Sequence, residues 1–271
     1  MKRLFIFLLA FVVLTNFNES FAQKKKKKNQ ETSENTAPQA VGKVLLRYNL
    51  PKGTSYTQSL DMDMNIEAMG MQIPQKQSLT MKVLVTDIAS NGNQTHEATY
   101  EKIYMKQSSP MGDMEFDSDN PAKQPAELGN LKDIKGSKFK MIISPRGKII
   151  EVKMDKNLPD ASSQQNIEYP ENPIGIGDSW TGETSNKNEQ VGEIKTKTTY
   201  KLISINNEIA ELEVKGKIYI DNKEQGETNG TIKVNIKTGL ATESNVKQVM
   251  NMQMQGMEMK LDNTIKATTK M

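Results

Sequence analysis

From Val44 onward the chain alternates, apolar then polar, with a period of two, and this constrains its fold more than any other feature. Leu60, Met62, Met64, Ile66 and Ala68 fall on one face of an extended segment, and Asp61, Asp63, Asn65 and Glu67 on the other. Leu79, Met81, Val83 and Val85 repeat the pattern, as do Phe139, Met141 and Ile143, then Ile232, Val234 and Ile236, then Met250, Met252 and Met254. Successive side chains of a strand point to opposite faces, so each run reads as an antiparallel strand with one buried and one wet face. Turn signals separate the runs: Asn91-Gly92, Pro145-Arg146-Gly147, Asn206-Asn207, Asn229-Gly230 and Thr238-Gly239. Without alternating helices, such spacing predicts an all-β chain of curved antiparallel sheets, either an open barrel or a sandwich. One short helix is expected within Pro125–Gly136, where Leu128, Leu131 and Ile134 share a helical face.

Residues 1–22 read as a secretory signal peptide. Lys2 and Arg3 precede eleven apolar residues, Leu4 to Leu14, and Ser20-Phe21-Ala22 offers small residues before Gln23. The apolar run is shorter than the roughly 20 residues that span a bilayer. No Cys follows the cut, so a lipoprotein is not expected, and the mature protein is placed in the periplasm or outside the cell. Residues 23–41 form a Lys-rich linker without bulky apolar side chains. The body, 42–271, is expected as a two-lobed β domain, with lobes at about 42–157 and 174–271 and a Pro-containing linker, Leu158–Pro173, between them.

The two lobes share features. Gly53-Thr54-Ser55-Tyr56 opens the first and Gly177-Asp178-Ser179-Trp180 the second; Lys82–Ile88 resembles Thr199–Ile205, and Ile103-Tyr104 resembles Ile218-Tyr219. A duplication of this kind predicts related curved sheets facing one interior.

Charge and composition narrow the function. The chain has 36 Lys and Arg, 33 Asp and Glu, one His and no Cys. Disulfide scaffolds, thiol enzymes, iron–sulfur sites and Cys-ligated zinc sites are excluded, as are metal sites built on two or three His. Removing Lys2, Arg3 and Glu19 with the leader leaves 34 basic and 32 acidic residues, and setting aside Lys24–Lys28 leaves 29 against 32. The basic excess therefore belongs to a tail that could touch an anionic membrane surface, and the body offers no basic face for nucleic acid. No nucleophile elbow, phosphate loop, dinucleotide fingerprint or His-Glu-x-x-His pattern is present. His96 is read as a surface or half-buried strand residue. Asp113, Glu115, Asp117 and Asp119 alternate at strand spacing, which fits a solvated face better than a calcium loop. A non-enzymatic protein without a cofactor is expected.

Methionine is the unusual component. Of 17 Met, 13 fall in three short regions: Met62 to Met81, Met105 to Met114, and Met250 to Met259. Unbranched, polarizable Met fills irregular core gaps and also builds adaptable apolar surfaces. The sequence therefore nominates Met62, Met64, Met81, Met250, Met252 and Met254 as the lining of a concave face that binds a lipid, an acyl chain or an apolar peptide of the envelope. A packed core in a structural or assembly protein is one alternative. A Cu(I) site is the other, because soft thioethers select Cu(I).

Leu46-Arg47-Tyr48-Asn49-Leu50-x-x-Gly53, Phe116-Asp117-Ser118, Ser144-Pro145-Arg146-Gly147-Lys148 and Ile176-Gly177-Asp178-Ser179-Trp180 together sample most of residues 42–271. In this order they resemble a secreted, β-rich bacterial family known as a domain of unknown function and common in Gram-negative envelope proteomes. The resemblance implies a β-rich exported protein and brings no catalytic residues. At the level of architecture alone, the chain is similar to periplasmic lipoprotein carriers, whose curved sheet holds acyl chains.

Overall fold

The computed structural model describes residues 42–109, 112–123, 125, 131, 134–154, 167–188, 191–254 and 256–271. The leader, the run Lys24–Lys28 and most of the expected helix lie outside the described residues. Within them a 3-10 turn spans Pro121–Lys123, and Leu131, inside the expected helix, is also in 3-10 conformation.

Strands dominate. They are β1 (Lys43–Val44), β2 (Ser55–Ala68), β3 (Met71–Ile88), β4 (Gln94–Gln107), β5 (Met114–Asp117), β6 (Lys138–Ile143), β7 (Ile149–Met154), β8 (Ile174–Gly175), β9 (Ser179–Asn188), β10 (Gly192–Asn206), β11 (Ile209–Ile220), β12 (Lys223–Asn235), β13 (Ala241–Met254) and β14 (Met257–Lys270). Twelve form one antiparallel sheet in the order β7-β6-β4-β3-β2-β14-β13-β12-β11-β10-β9, with β5 beside β6 on the same edge of β4. The sheet is curved and does not close into a barrel. Its first and last long strands, β2 and β14, pair along their lengths from Thr57–Lys270 to Ala68–Met259, in the middle of the sheet. Its open edges, β7 and β9, are consecutive strands of this sheet in chain order, separated in the chain by β8, which pairs with β1 instead. The topology is therefore an up-and-down meander cut between β7 and β9, with its first and last long strands joined by pairing.

Alternation does what the period of two requires. On β2, Met62, Met64, Ile66 and Ala68 are buried while Asp61, Asp63, Asn65 and Glu67 face water. Outward positions carry cross-strand ion pairs such as Lys138 and Lys140 with Glu97, and Lys233 with Glu243. Such exposed pairs contribute about 0–1 kcal/mol each and chiefly keep the outer face wet.

The inward side chains form two apolar clusters at opposite ends of the strands. The larger one holds Tyr56, Val83, Val85, Tyr100, Phe139, Leu202, Leu212 and Val234. The smaller one, at the hairpin ends of β2–β3, β11–β12 and β13–β14, holds Met64, Ile66, Ile73, Ile218, Ile220, Met250, Met252, Met259 and Leu261. Each contains residues from both halves of the sheet, so the curvature brings the halves into contact.

A plug closes the larger end. Leu46, Tyr48 and Leu50 from one segment and Ile167, Tyr169 and Ile174 from another are buried in that cluster, and β1 pairs with β8 alongside them. Residues 167–173 were expected within an inter-lobe linker; instead Tyr169 is fully buried and donates its hydroxyl to Gly239 O at 2.8 Å. Composition suggested a linker because the apolar anchors, Ile167 and Tyr169, are only two among polar and Pro neighbours.

The two halves open on the same local geometry. Gly53, at φ 87°, donates its N–H to Val85 O at 2.8 Å, and Val85 N–H returns to Thr54 O at 2.9 Å. Gly177, at φ 96°, donates to Leu202 O at 2.8 Å, and Leu202 N–H returns to Asp178 O at 3.0 Å.

Candidate functional site

The nominated methionines occupy the inner face, but in different places. Met64, Met250 and Met252 belong to the smaller cluster, Met81 belongs to the larger, and Met62 is buried on the inner face of β2 outside both. Met254 ends β13 opposite Met257, and its side chain lies outside the described residues. The five described ones are only 3–6% exposed, so they are packed rather than displayed.

Beyond the smaller cluster lies a half-open cavity of about 1160 Å³, at the end of the sheet opposite the plug. Met252, Met257, Met259, Val191 and Ile220 are among its apolar lining, while Glu67, Asp221, Lys223, Glu258 and Lys260 are among its polar rim. Met69, on the β2–β3 turn, is exposed beside it. The cavity is thus backed by side chains that can re-pack and rimmed by charge.

Between the two clusters runs a polar row. Along one rung of backbone pairing the inward positions are Gln107, Gln75, Met64, Asn263, Gln248, Thr228, Gly216 and Thr198. One inward step towards the cavity, the row reads Ile73, Ile66, Leu261, Met250, Gly226, Ile218. One step towards the plug it reads Met105, Gln77, Met62, Ile265, Val246, Gly230, Val214. A polar rung is therefore set between mostly apolar rungs.

Seven buried side-chain atoms on Gln75, Gln77, Gln107, Thr228 and Asn263 have no hydrogen-bond partner among the described residues. Each such atom costs about 1–3 kcal/mol. Sequence reasoning passed over this row because each polar residue, taken alone, reads as one irregularity in an alternating strand. Only the cross-strand register aligns them.

His96 departs from its expected place. It is fully buried, and its Nδ1 lies 2.8 Å from the Tyr56 hydroxyl and its Nε2 3.1 Å from Gln94 Oε1. Gln94 Nε2 donates in turn to Leu50 O at 2.9 Å, tying the plug to β4. Desolvation lowers the His96 pKa to about 4, so the ring is neutral at physiological pH. Burial likewise raises the Tyr48, Tyr56 and Tyr169 hydroxyls above the ordinary phenol range and keeps them protonated.

Three of the four family-like motifs converge on the plug, while Phe116-Asp117-Ser118 lies at β5, beside the far end of β4. Arg47 donates to Leu46 O and Pro170 O, each at 2.7 Å, and to Glu171 O at 2.6 Å. Arg146 donates Nε to Tyr169 O at 2.7 Å and pairs with Glu168 and Glu171. Tyr48 N–H meets Pro145 O, and Trp180 stacks on Tyr200 while donating to Glu168 O. These three motifs hold the plug, and none of their residues lines the cavity at the opposite end.

The carboxylate sets are surface features. Asp61 accepts from Ser78 Oγ at 2.6 Å and Asp63 pairs with Lys76. Hydrogen bonds from Lys123 to Glu115, and from Lys135 and Lys102 to Asp119, hold both carboxyls below the ordinary range. Among the described residues no group of three or more His, Cys, Asp and Glu is placed to hold a metal.

Residues 91–168 and 154–271 match the model of a family of unknown function, DUF6263. No curated protein matches the sequence. Among solved structures, lipovitellin, described for its lipid–protein interactions, is similar with a TM-score of 0.54 at 8% identity, covering 82% of this chain and 26% of its own. The chain thus spans about a quarter of lipovitellin, and the likeness is one of fold. The translocator domain of the autotransporter NalP from Neisseria meningitidis aligns with a TM-score of 0.39 at 7% identity, over 82% of this chain and 89% of its own. An outer membrane channel from Pseudomonas putida F1 aligns with a TM-score of 0.35 at 10% identity, over 82% and 97%.

Proposed function

The chain belongs to the DUF6263 family, whose function is unknown, and on that premise we propose that it is an exported, non-catalytic β-protein that takes up an apolar component of the cell envelope at the open end of its curved sheet. The observation that carries this reading is the cavity of about 1160 Å³ backed by Met252, Met259, Val191 and Ile220. The cavity is larger than the roughly 300–1,000 Å³ of ordinary small-molecule sites, and its apolar floor is surrounded by a more extensive polar and charged rim. Uptake proceeds by burial and dispersion, with the unbranched methionines of the smaller cluster adjusting to the guest. The leader-like residues 1–22 support export. The fold likeness to lipovitellin, a protein described for its lipid interactions, agrees with an apolar ligand.

Native mass spectrometry of the protein, gently extracted from its own host's envelope, tests the reading. An adduct of lipid mass is expected. A bare mass in repeated preparations would sink it.

A further inference from the structure

The polar rung between the two apolar clusters buries polar atoms that the sheet itself does not satisfy. Gln75, Gln107, Asn263 and Thr228 sit on adjacent or near-adjacent strands, are at least nine-tenths buried, and point into the same interior as Met64 and Met250. Their unpartnered atoms include donors (Gln75 Nε2, Asn263 Nδ2) and acceptors (Gln75 Oε1, Gln107 Oε1, Asn263 Oδ1). No Lys, Arg, Asp or Glu is buried among the described residues, and the one buried His lies in the plug-end network.

We propose that this rung is the polar subsite of the ligand site, and that the ligand is an amphiphile whose polar group is uncharged, an ester, amide or hydroxyl attached to an apolar chain. This rests on the proposed uptake of an apolar component. Asn263 lies four residues along β14 from Met259 at the cavity, roughly 13 Å at strand rise. The smaller cluster occupies that interval, so its packed side chains, Met64, Met250 and Met252, part around the apolar chain when the polar group reaches the rung. Primary amides and a threonine hydroxyl donate to a carbonyl and accept from a hydroxyl. They offer no counter-charge, and a carboxylate or phosphate buried there would stay unpaired. The rung therefore selects against free fatty acids and anionic lipid headgroups.

The test uses the mature protein purified from its host and delipidated, with N-phenyl-1-naphthylamine as an apolar fluorescent probe. Displacement by 1-lauroylglycerol, laurate and dodecane is compared at pH 7.5. At least tenfold stronger displacement by 1-lauroylglycerol than by either competitor is expected. In Gln75→Leu/Asn263→Leu, N-phenyl-1-naphthylamine should still bind and the advantage should fall below threefold. Thr228→Val/Gln107→Met, on other strands of the same rung, carries the same expectation should the first pair fail to fold. Probe binding without preference among the three competitors, or a preference untouched by the rung variants, overturns the polar subsite and leaves apolar uptake standing. No binding of the probe or any competitor overturns apolar uptake and this inference with it.

Discussion

The Tyr56 hydroxyl lies 2.8 Å from His96 Nδ1 inside the core, and the imidazole's other nitrogen faces Gln94 Oε1. With the ring neutral, Tyr56 donates to Nδ1 and Nε2–H donates to Gln94, whose amide donates onward to Leu50 O. A proton on Nδ1 would reverse the first bond, making the Tyr56 oxygen the acceptor, and would place an unpaired charge in the core.

Stability should therefore fall with acid. Burial lowers the folded-state pKa of His96 to about 4, against an ordinary value of 6.5. Between those values the unfolded chain takes up a proton that the folded chain refuses, so stability present above pH 6.5 is lost as pH falls towards 4 and then levels off. The loss is at most about 3.5 kcal/mol, at about 1.4 kcal/mol per pKa unit. Urea unfolding from pH 4 to 7.5, compared between the protein and His96→Gln, isolates this slope, because carboxylates titrate alike in both. Parallel curves would assign the proton uptake to other groups.

Two glycines should be irreplaceable at the plug. A Cβ on Gly147 would lie 2.2 Å from Ile167 O, and one on Gly239 would lie 2.1 Å from Arg47 O. Both also have positive φ, 90° and 70°, which strains an L side chain. Gly147→Ala and Gly239→Ala are expected to destabilise by about 2 kcal/mol or more, since backbone must move. Thermal unfolding of each variant decides it; a midpoint within 2 °C of the parent would mean that the plug yields at about no cost.

Arg47 should not be replaceable by lysine. Its guanidinium reaches three carbonyls, two of them across the chain at Pro170 and Glu171. A lysine is a single-point donor without the planar fork. Arg47→Lys is expected to cost about 1–3 kcal/mol and to speed amide exchange at Tyr169, whose N–H is held by Arg146 O. Unchanged exchange at Tyr169 would show that Arg146 alone secures the segment.

The fold was largely legible because the information that specifies it is local. Alternation along each strand and turn residues between strands suffice for an antiparallel meander, and the buried faces of β2 and β3 are those the alternation picks out. Three features were not legible, for a common reason. The pairing of β2 with β14, the burial of Tyr169 beneath Gly239 and the alignment of Gln75 with Gln107 and, across Met64, with Asn263 are long-range registers. Register sets which side chains meet, and no single strand contains it. His96 illustrates the consequence: its sequence neighbours are polar, yet Tyr48 and Tyr56, both from the N-terminal side, pack edge-on against its ring.

The methionines of the smaller cluster should act through shape and softness, not through sulfur coordination. Met64 and Met252 are buried among Ile66, Ile218 and Leu261, so polar replacements there would report on folding before binding. Leucine conserves volume and apolarity, and such swaps usually cost under about 1.5 kcal/mol. Met64→Leu/Met252→Leu is therefore expected to stay folded and to bind N-phenyl-1-naphthylamine within about threefold of the parent, with any loss reflecting the stiffer side chain. Equilibrium titration of the probe measures this directly. A folded double variant that lost uptake, or a parent protein that retained Cu(I) where the variant did not, would shift the role of these residues from packing to thioether ligation.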